Sequence, residues 1–453
     1  MAQPQRNTPR QMNLGLFIRP CGHHIASWRY PTAHADAGAN LQRFIEMAQT
    51  AERGCLDMLF SADTNSAWTA EGEGMNRQHY VAWIEPFTLL SALSAHTKNI
   101  GLVCTASTSF DQPFSIARRF ASLDLVSGGR GGWNVVTSGN ETEALNFSQL
   151  AHLPKTERYK RAKEFVHVVR ALWDSWDADA FTRDRESGVF FEWNKMHVLD
   201  HKGTHFQVRG PLNVPRSPQG QPVIIQAGAS EDGKELAAET AEVIFAASNQ
   251  LANSQAFYND VKGRMARYGR SHDDLKILPG LSVTVAPTRQ EAQDKHDELQ
   301  ALIHPQVGLG LLSRRIGFDL TSHPVDEQLP ELPPNATIGT RSDMMIELAR
   351  RDKLTLRQLY EHFAAARGHH SLVGTPADVA DGMQEWFEAK GCDGFNILCP
   401  TFPDGLNDFV DLVVPELQRR GLFRKKYEGK TLRETLGLKV PKSRYEERSQ
   451  AAE

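Results

Sequence analysis

Eight short apolar runs, each followed by a stretch of helical periodicity, recur along the 453-residue chain, and this alternation restricts its fold more than any other feature. The runs are Met12–Ile18, Cys55–Asp63, Ile100–Ser107, Trp133–Thr137, Pro222–Gly228, Ala241–Ser248, Leu275–Ala286 and Gly394–Pro400. Each is nearly continuous rather than alternating, the pattern of strands buried on both faces, and therefore of a parallel sheet. Between them lie helices with recognisable signals. Asn40 caps a helix whose Leu41, Phe44, Ile45 and Ala48 share a face, and Gly54 closes it. Further helices run from about 85 to 97, from Pro113 to about 126, from 154 to 176, after Ser230, from Thr375-Pro376, and from Asp408 to Arg420. Eight such units closed on themselves form an α/β (β/α)8 TIM barrel, with chemistry at the C-terminal strand ends. The competing open doubly wound sheet is disfavoured because neither GxGxxG nor GxxxxGK[ST] occurs.

The chain reads as one domain, 1–453, with two excursions. Residues 177–221 carry Pro, Gly and scattered aromatics without sustained period, and residues 300–375 are mixed in pattern, with HPVDEQLPELPPN at their middle. The tail 421–453 is charged and is expected to lie on the surface. A formal charge of −4 favours neither nucleic acid nor an anionic membrane. No apolar run approaches the roughly 20 residues needed to span a bilayer, and MAQPQRNTPRQMN has no secretory core segment. The five cysteines form no CxxC pair and read as reduced thiols of a cytoplasmic protein.

The stretch LDLVSGGRGGWNVVTSGN (123–140) reads as a helix end, a tight turn and a strand interrupted by Asn134. An Asn inside a strand is satisfied by neighbouring backbone or faces a ligand. On a barrel, the strand ends gather His23, His24, Asp63, Thr105 or Ser107, Asn134, Ser138, Ser230, Ser248 and Asn249 on one rim. These are mostly neutral donors and acceptors, suited to a planar hydrogen-bonding ligand rather than to a metal or polyanion. His23 and His24 are adjacent and diverge in an extended segment. His201 and His205 have zinc-ligand spacing, but Gly203 opposes a helix there. GxSxG is absent, and GGRGG is more simply a turn into a strand.

LDLVSGGRGGWNVVTS, the acid-ended AERGCLDMLFSAD and QAGAS resemble the bacterial luciferase-like flavin monooxygenases, specifically the nitrilotriacetate monooxygenase component A type, which includes EDTA and dibenzothiophene-sulfone monooxygenases. ERYKRAKEF and VVPELQRRGLFR extend the resemblance over nearly the whole chain. It implies reduced FMN in the barrel mouth, held by Asp63, Thr105, Tyr159 and Ser230, with Asn134 and Ser138 as added contacts. Lys155 stands where relatives often have His, four residues before the helix Tyr, and a cation there suits a phosphate. Ser230 precedes a helix start, where backbone N–H groups favour an anion. The implied reaction is two-component. A separate NAD(P)H:flavin reductase supplies FMNH2, and one atom of O2 enters a small organic substrate: a xenobiotic-type amine, a sulfone or sulfonate, or an aromatic compound. His23 or His24 is the expected base, Phe17, Trp28, Phe60 and Phe245 would dry the pocket, and residues 300–375 would close over it. A homodimer or homotetramer is implied as well. Arg19, Arg29 and His34 could meet substrate carboxylates or a sulfonate, or stay solvated. Two alternatives compete: a flavin enzyme of this fold that inserts no oxygen, and a cofactor-free hydrolase or lyase using His23, Asp63 and Glu85.

Overall fold

The computed structural model describes residues 10–67, 74–333 and 340–445. Segments 1–9 and 68–73, the 334–339 part of the second excursion and the end of the tail, 446–453, lie outside the described residues. Eight parallel strands form a closed ring: β1 Asn13–Phe17, β2 Met58–Ser61, β3 Gly101–Ser107, β4 Gly131–Val136, β5 Val223–Gln226, β6 Val243–Ala246, β7 Lys276–Val285 and β8 Gly394–Leu398. Each pairs with its successor and β8 returns to β1, so the (β/α)8 barrel expected from the apolar runs is the architecture. The long β7 does double duty: beyond its pairing with β8, its C-terminal half takes a ninth parallel strand, His370–Gly374, outside the ring.

The pleat sorts the side chains. Leu14, Leu16, Leu59, Leu102, Trp133, Val135 and Ile224 point outward and pack with the surrounding helices. Phe17, Met58, Phe60, Val103, Val223, Ile225, Val243, Leu278 and Leu398 fill the interior. Residues 177–221 wrap one flank, with the hairpin His201–Lys202/Gln207–Val208 among aromatic loops. Between β7 and the ninth strand, the helices Pro305–Ile316, Thr340–Arg351 and Leu356–Ala366 form a layer with its own core, while the helix Arg289–Ala301 packs against the two strands. That core also takes in Ile25, Ala26 and Tyr80 from loops at the barrel mouth.

The tail departs from its expected place on the surface. Thr431 caps a short helix, Leu432–Leu436, that enters the N-terminal floor of the barrel, where Leu432 and Leu436 join the interior cluster with Leu438. A Cβ on Gly101 would sit 2.4 Å from Leu432 Cδ1, so glycine there makes room for the plug. Leu432 N donates to Gly129 O (3.0 Å), which gives the Gly-Gly turn before β4 a structural purpose. The charges of the tail hid three leucines from a composition-based reading.

Candidate active site

The C-terminal ends of β2 to β5 line two clefts, of about 500 and 300 Å³, that share Val136 and Ser138. In register on β3 and β4, Thr105 and Asn134 lie side by side and both point inward. Thr105 Oγ1 donates to Ser61 O and accepts from Asn134 Nδ2, each at 2.8 Å. Asn134 is 2% exposed, yet its Oδ1 has no partner. A buried acceptor left open is costly unless a donor arrives. Of the two sequence readings for Asn134, local satisfaction accounts for its amide nitrogen alone. Just above, Ser138 has φ +43°, an uncommon value for a residue with a Cβ. Its hydroxyl pairs with that of Ser107 (2.8 Å), and its carbonyl accepts from Arg158.

One wall of the smaller cleft is the helix Lys155–Trp173, whose first turn presents Lys155, Arg158 and Tyr159 at i, i+3 and i+4. The opposite wall is the N-terminus of the helix Glu231–Thr240. Its cap Ser230 accepts from Gly233 N (3.3 Å) and donates to Tyr159 Oη (3.2 Å). A Cβ on Gly233 would come within 3.1 Å of that hydroxyl, so glycine keeps the corner open. Arg158 Nε is buried there with no partner. Sequence reading missed Arg158, although its spacing from Lys155 was a usable signal.

The loop after β1 carries both histidines, with different fates. His23 Nε2 lies 2.8 Å from Phe17 O; a carbonyl only accepts, so Nε2 carries the proton and Nδ1 keeps a lone pair. Burial, with Arg19 adding to it, holds His23 well below its usual pKa. His24 is engaged at both nitrogens: Nδ1 accepts from Ala26 N (3.1 Å), and Nε2 faces Gln300 Oε1 (3.0 Å). Burial takes its pKa down to about 3. It ties the loop to the helix Arg289–Ala301 and has no nitrogen left for a reaction. Asp63, past the end of β2, lines the larger cleft, and burial pushes its carboxyl up to about 6, with Glu85 and Glu143 contributing.

Phe17, Phe60 and Phe245 meet at centroid distances of 5.1 to 5.5 Å across the barrel, with His23 edge-on to Phe17 (4.4 Å) and His369 stacked on Phe245 (5.2 Å). Trp28 makes no ring contact with this cluster among the described residues; its Nε1 donates to Arg77 O (3.0 Å). Ser248 and Asn249 face a third cleft, of about 660 Å³, between the end of β6 and the helical layer. Of the rival hydrolase set, Asp63 and Glu85 line the same cleft, but both Glu85 oxygens are engaged in capping the helix Pro86–Ser94 through Phe87 N and Thr88 N (2.8 and 2.7 Å). His201 and His205 turn to Glu164 and Glu157. Among the described residues no group of three His, Cys, Asp or Glu could hold a metal ion.

The family profile described as luciferase-like monooxygenase matches residues 21–393. The chain belongs to the luciferase-like monooxygenase family. Within it, the chain is similar to the N-acetyl-S-(2-succino)cysteine monooxygenase of Bacillus subtilis, 54% identical over 439 residues, covering 96% of this chain and 98% of the relative. It is 49% identical to nitrilotriacetate monooxygenase component A of Aminobacter aminovorans over 443 residues, with 96% and 98% covered. Among solved structures, a riboflavin lyase (RcaE) with modified FMN and riboflavin superposes with a TM-score of 0.83, at 32% identity over 95% of this chain and 97% of that one. This luciferase-like protein is accordingly a flavin-dependent monooxygenase. Among its described residues no helix is long and apolar enough to cross a membrane.

Proposed function

We propose that the chain is the oxygenase of a two-component system: FMNH2 made by a separate NAD(P)H:flavin reductase binds in the barrel mouth, and one atom of O2 is inserted into a small organic substrate. The observation that carries this reading is the pair of unpartnered buried atoms, Asn134 Oδ1 and Arg158 Nε, on the walls of one rim. An N–H acceptor and a cationic donor, with a helix N-terminus between walls of neutral hydroxyls, fit an isoalloxazine and its phosphate. The name component A, borne by a relative of this identity, agrees with a partner reductase.

In this reading Lys155, Arg158, Tyr159 and Ser230 hold the phosphate, together with the backbone N–H groups that begin the helix Glu231–Thr240. Thr105 and Asn134 orient the ring system, and Ser138 lines its edge. When bound, FMNH2 supplies the electrons that activate O2. Phe17, Phe60 and Phe245 exclude water from that face. Asp63, with its carboxyl near pH 6, takes up or gives a proton at its carboxylate oxygen across the neutral range. His23 stays neutral and accepts at Nδ1. Of the two histidines expected as base, only His23 is carried forward.

The test is NADH consumption with FMN and candidate substrates, with and without a flavin reductase, coupled to mass analysis of product formed under ¹⁸O2. Substrate-dependent turnover only with the reductase, and one ¹⁸O per product, are expected. Turnover without reductase removes the two-component reading, and unlabelled product favours the same-fold enzyme without oxygen insertion.

A further inference from the structure

On the far side of the mouth from Lys155 and Tyr159, two arginines share one aromatic ring. Arg19, just past β1, has its Cζ 5.4 Å from the centroid of Tyr80, and Arg367, just before the ninth strand, has its Cζ 4.1 Å from the same centroid. Arg19 also lies over Phe17 (5.1 Å) and Trp83 (5.3 Å). The Tyr80 ring is fixed by its hydroxyl, which donates among the carbonyls of Gly22, His23 and His24 (3.1, 2.7 and 3.2 Å). Arg367 holds its place with φ +51°, a left-handed backbone at a helix end.

Neither guanidinium forms an ion pair among the described residues, and the Nε of each is buried without a partner. Two like charges brought together under partial burial repel each other and lose hydration, which is costly unless an anion joins them. Consistent with that cost, burial and Arg367 together take Arg19 down to about 10. The neighbouring His23, His24 and His79 are all held neutral, chiefly by burial, and the groups that oppose the loss of charge on Arg19 are the Tyr80 phenol and, after it, the Asp63 carboxyl. Arg367 opens onto the 660 Å³ cleft beside Ser248 and Asn249.

We propose that Arg19 and Arg367 form a carboxylate-binding subsite for the substrate, so that this oxygenase acts on organic acids. The proposal rests on the flavin reading above, which places the cofactor phosphate elsewhere. In a ring of eight strands, β1 and β8 stand opposite β5 and β4, so the mouth holds two separate anion sites with the aromatic cluster between them. The planar fork of a guanidinium matches a carboxylate with two parallel hydrogen bonds, and the aromatic faces leave its edge N–H groups free to do so. A carboxylate anchored there sets the distance of the oxidised atom from the flavin face by the length of the acid.

The experiment is calorimetric titration of the FMN-loaded protein with tricarballylate, and in parallel with its uncharged trimethyl ester. Tricarballylate is expected to bind and the ester not. Arg19→Met and Arg367→Met are each expected to weaken tricarballylate at least about tenfold while FMN affinity, read from tryptophan quenching, stays at the wild-type value. Arg19→Lys and Arg367→Lys are expected to recover part of the loss. Binding of the ester as tight as the acid, or Met variants that bind tricarballylate like wild type, overturns the subsite. If tricarballylate is displaced by FMN, it had occupied the Lys155 corner, and the subsite is likewise overturned. Failure of FMN itself to bind the wild type sinks the flavin reading instead, which keeps the two failures apart.

Discussion

At the floor of the barrel, Arg130 donates five side-chain hydrogen bonds, to Ser127 O, Thr97 Oγ1, Ile100 O, Ser94 O and Thr97 O, at 2.7 to 3.1 Å. Arg433, also at the floor, reaches Glu242, Gln221 O and Lys439 O. At the mouth, Arg19, Arg158 and Arg367 each keep a buried Nε with no partner. All five residues carry the same charge, and only their surroundings differ. A guanidinium whose donors are consumed by carbonyls joins chain segments, whereas one facing a cleft with donors to spare is arranged for something that is not protein. The contrast follows the division of labour in such barrels, stability below and chemistry above.

The sharpest way to break the contrast is Arg130→Met. It strands four buried carbonyls, and a loss of about 3–5 kcal/mol in urea unfolding is expected, with FMN affinity of the folded fraction unchanged. A loss under about 1 kcal/mol would erase the distinction between the two ends. Next in size, Leu432→Ala opens a cavity at a fully buried site and should cost about 3 kcal/mol, again without touching FMN affinity. At the mouth the pattern should invert. Tyr159→Phe combined with Ser230→Ala is expected to weaken FMN about tenfold, or about 1.4 kcal/mol, with a melting temperature close to wild type.

The smallest effect concerns Asp63. Its carboxyl titrates near 6 in the folded protein, above its ordinary 3.8, so the fold favours the protonated form. That contribution is complete below the ordinary value and is lost as pH rises through 6. Asp63→Asn should therefore be more stable than wild type by about 1 kcal/mol at pH 8, a figure discounted for partial exposure, and should lose the advantage at pH 4. Urea midpoints at the two pH values measure it. An equal gain at both would assign Asp63 to packing rather than to the wet rim.

The strands were legible because each is a dense apolar run between turn residues, and Asn134 stood out because an amide interrupts one of them. The helix cap at Asn40 and the helix Pro113–Val126 were readable from local chemistry alone. The floor plug was not, since Leu432, Leu436 and Leu438 are scattered among Lys, Arg and Glu, and only the cavity they enter gives them meaning. The ninth strand, HSLVG, is half-buried and lacked the apolar density of the ring. Arg367 carried no local signal at all: it terminates a helix, and its significance comes from a tyrosine almost three hundred positions earlier. His24 looked equivalent to His23 until the tertiary contact with Gln300 separated them.

The leucine plug has a bearing on biosynthesis. A ring of eight strands emerges from the ribosome before the segment that stoppers it, and until Leu432 arrives the floor is a greasy hole that water fills poorly. A chain ending ahead of that segment would carry every residue of the mouth and still lack the leucines that close the opposite end, so the integrity of this enzyme's barrel depends on the part of it furthest from its chemistry.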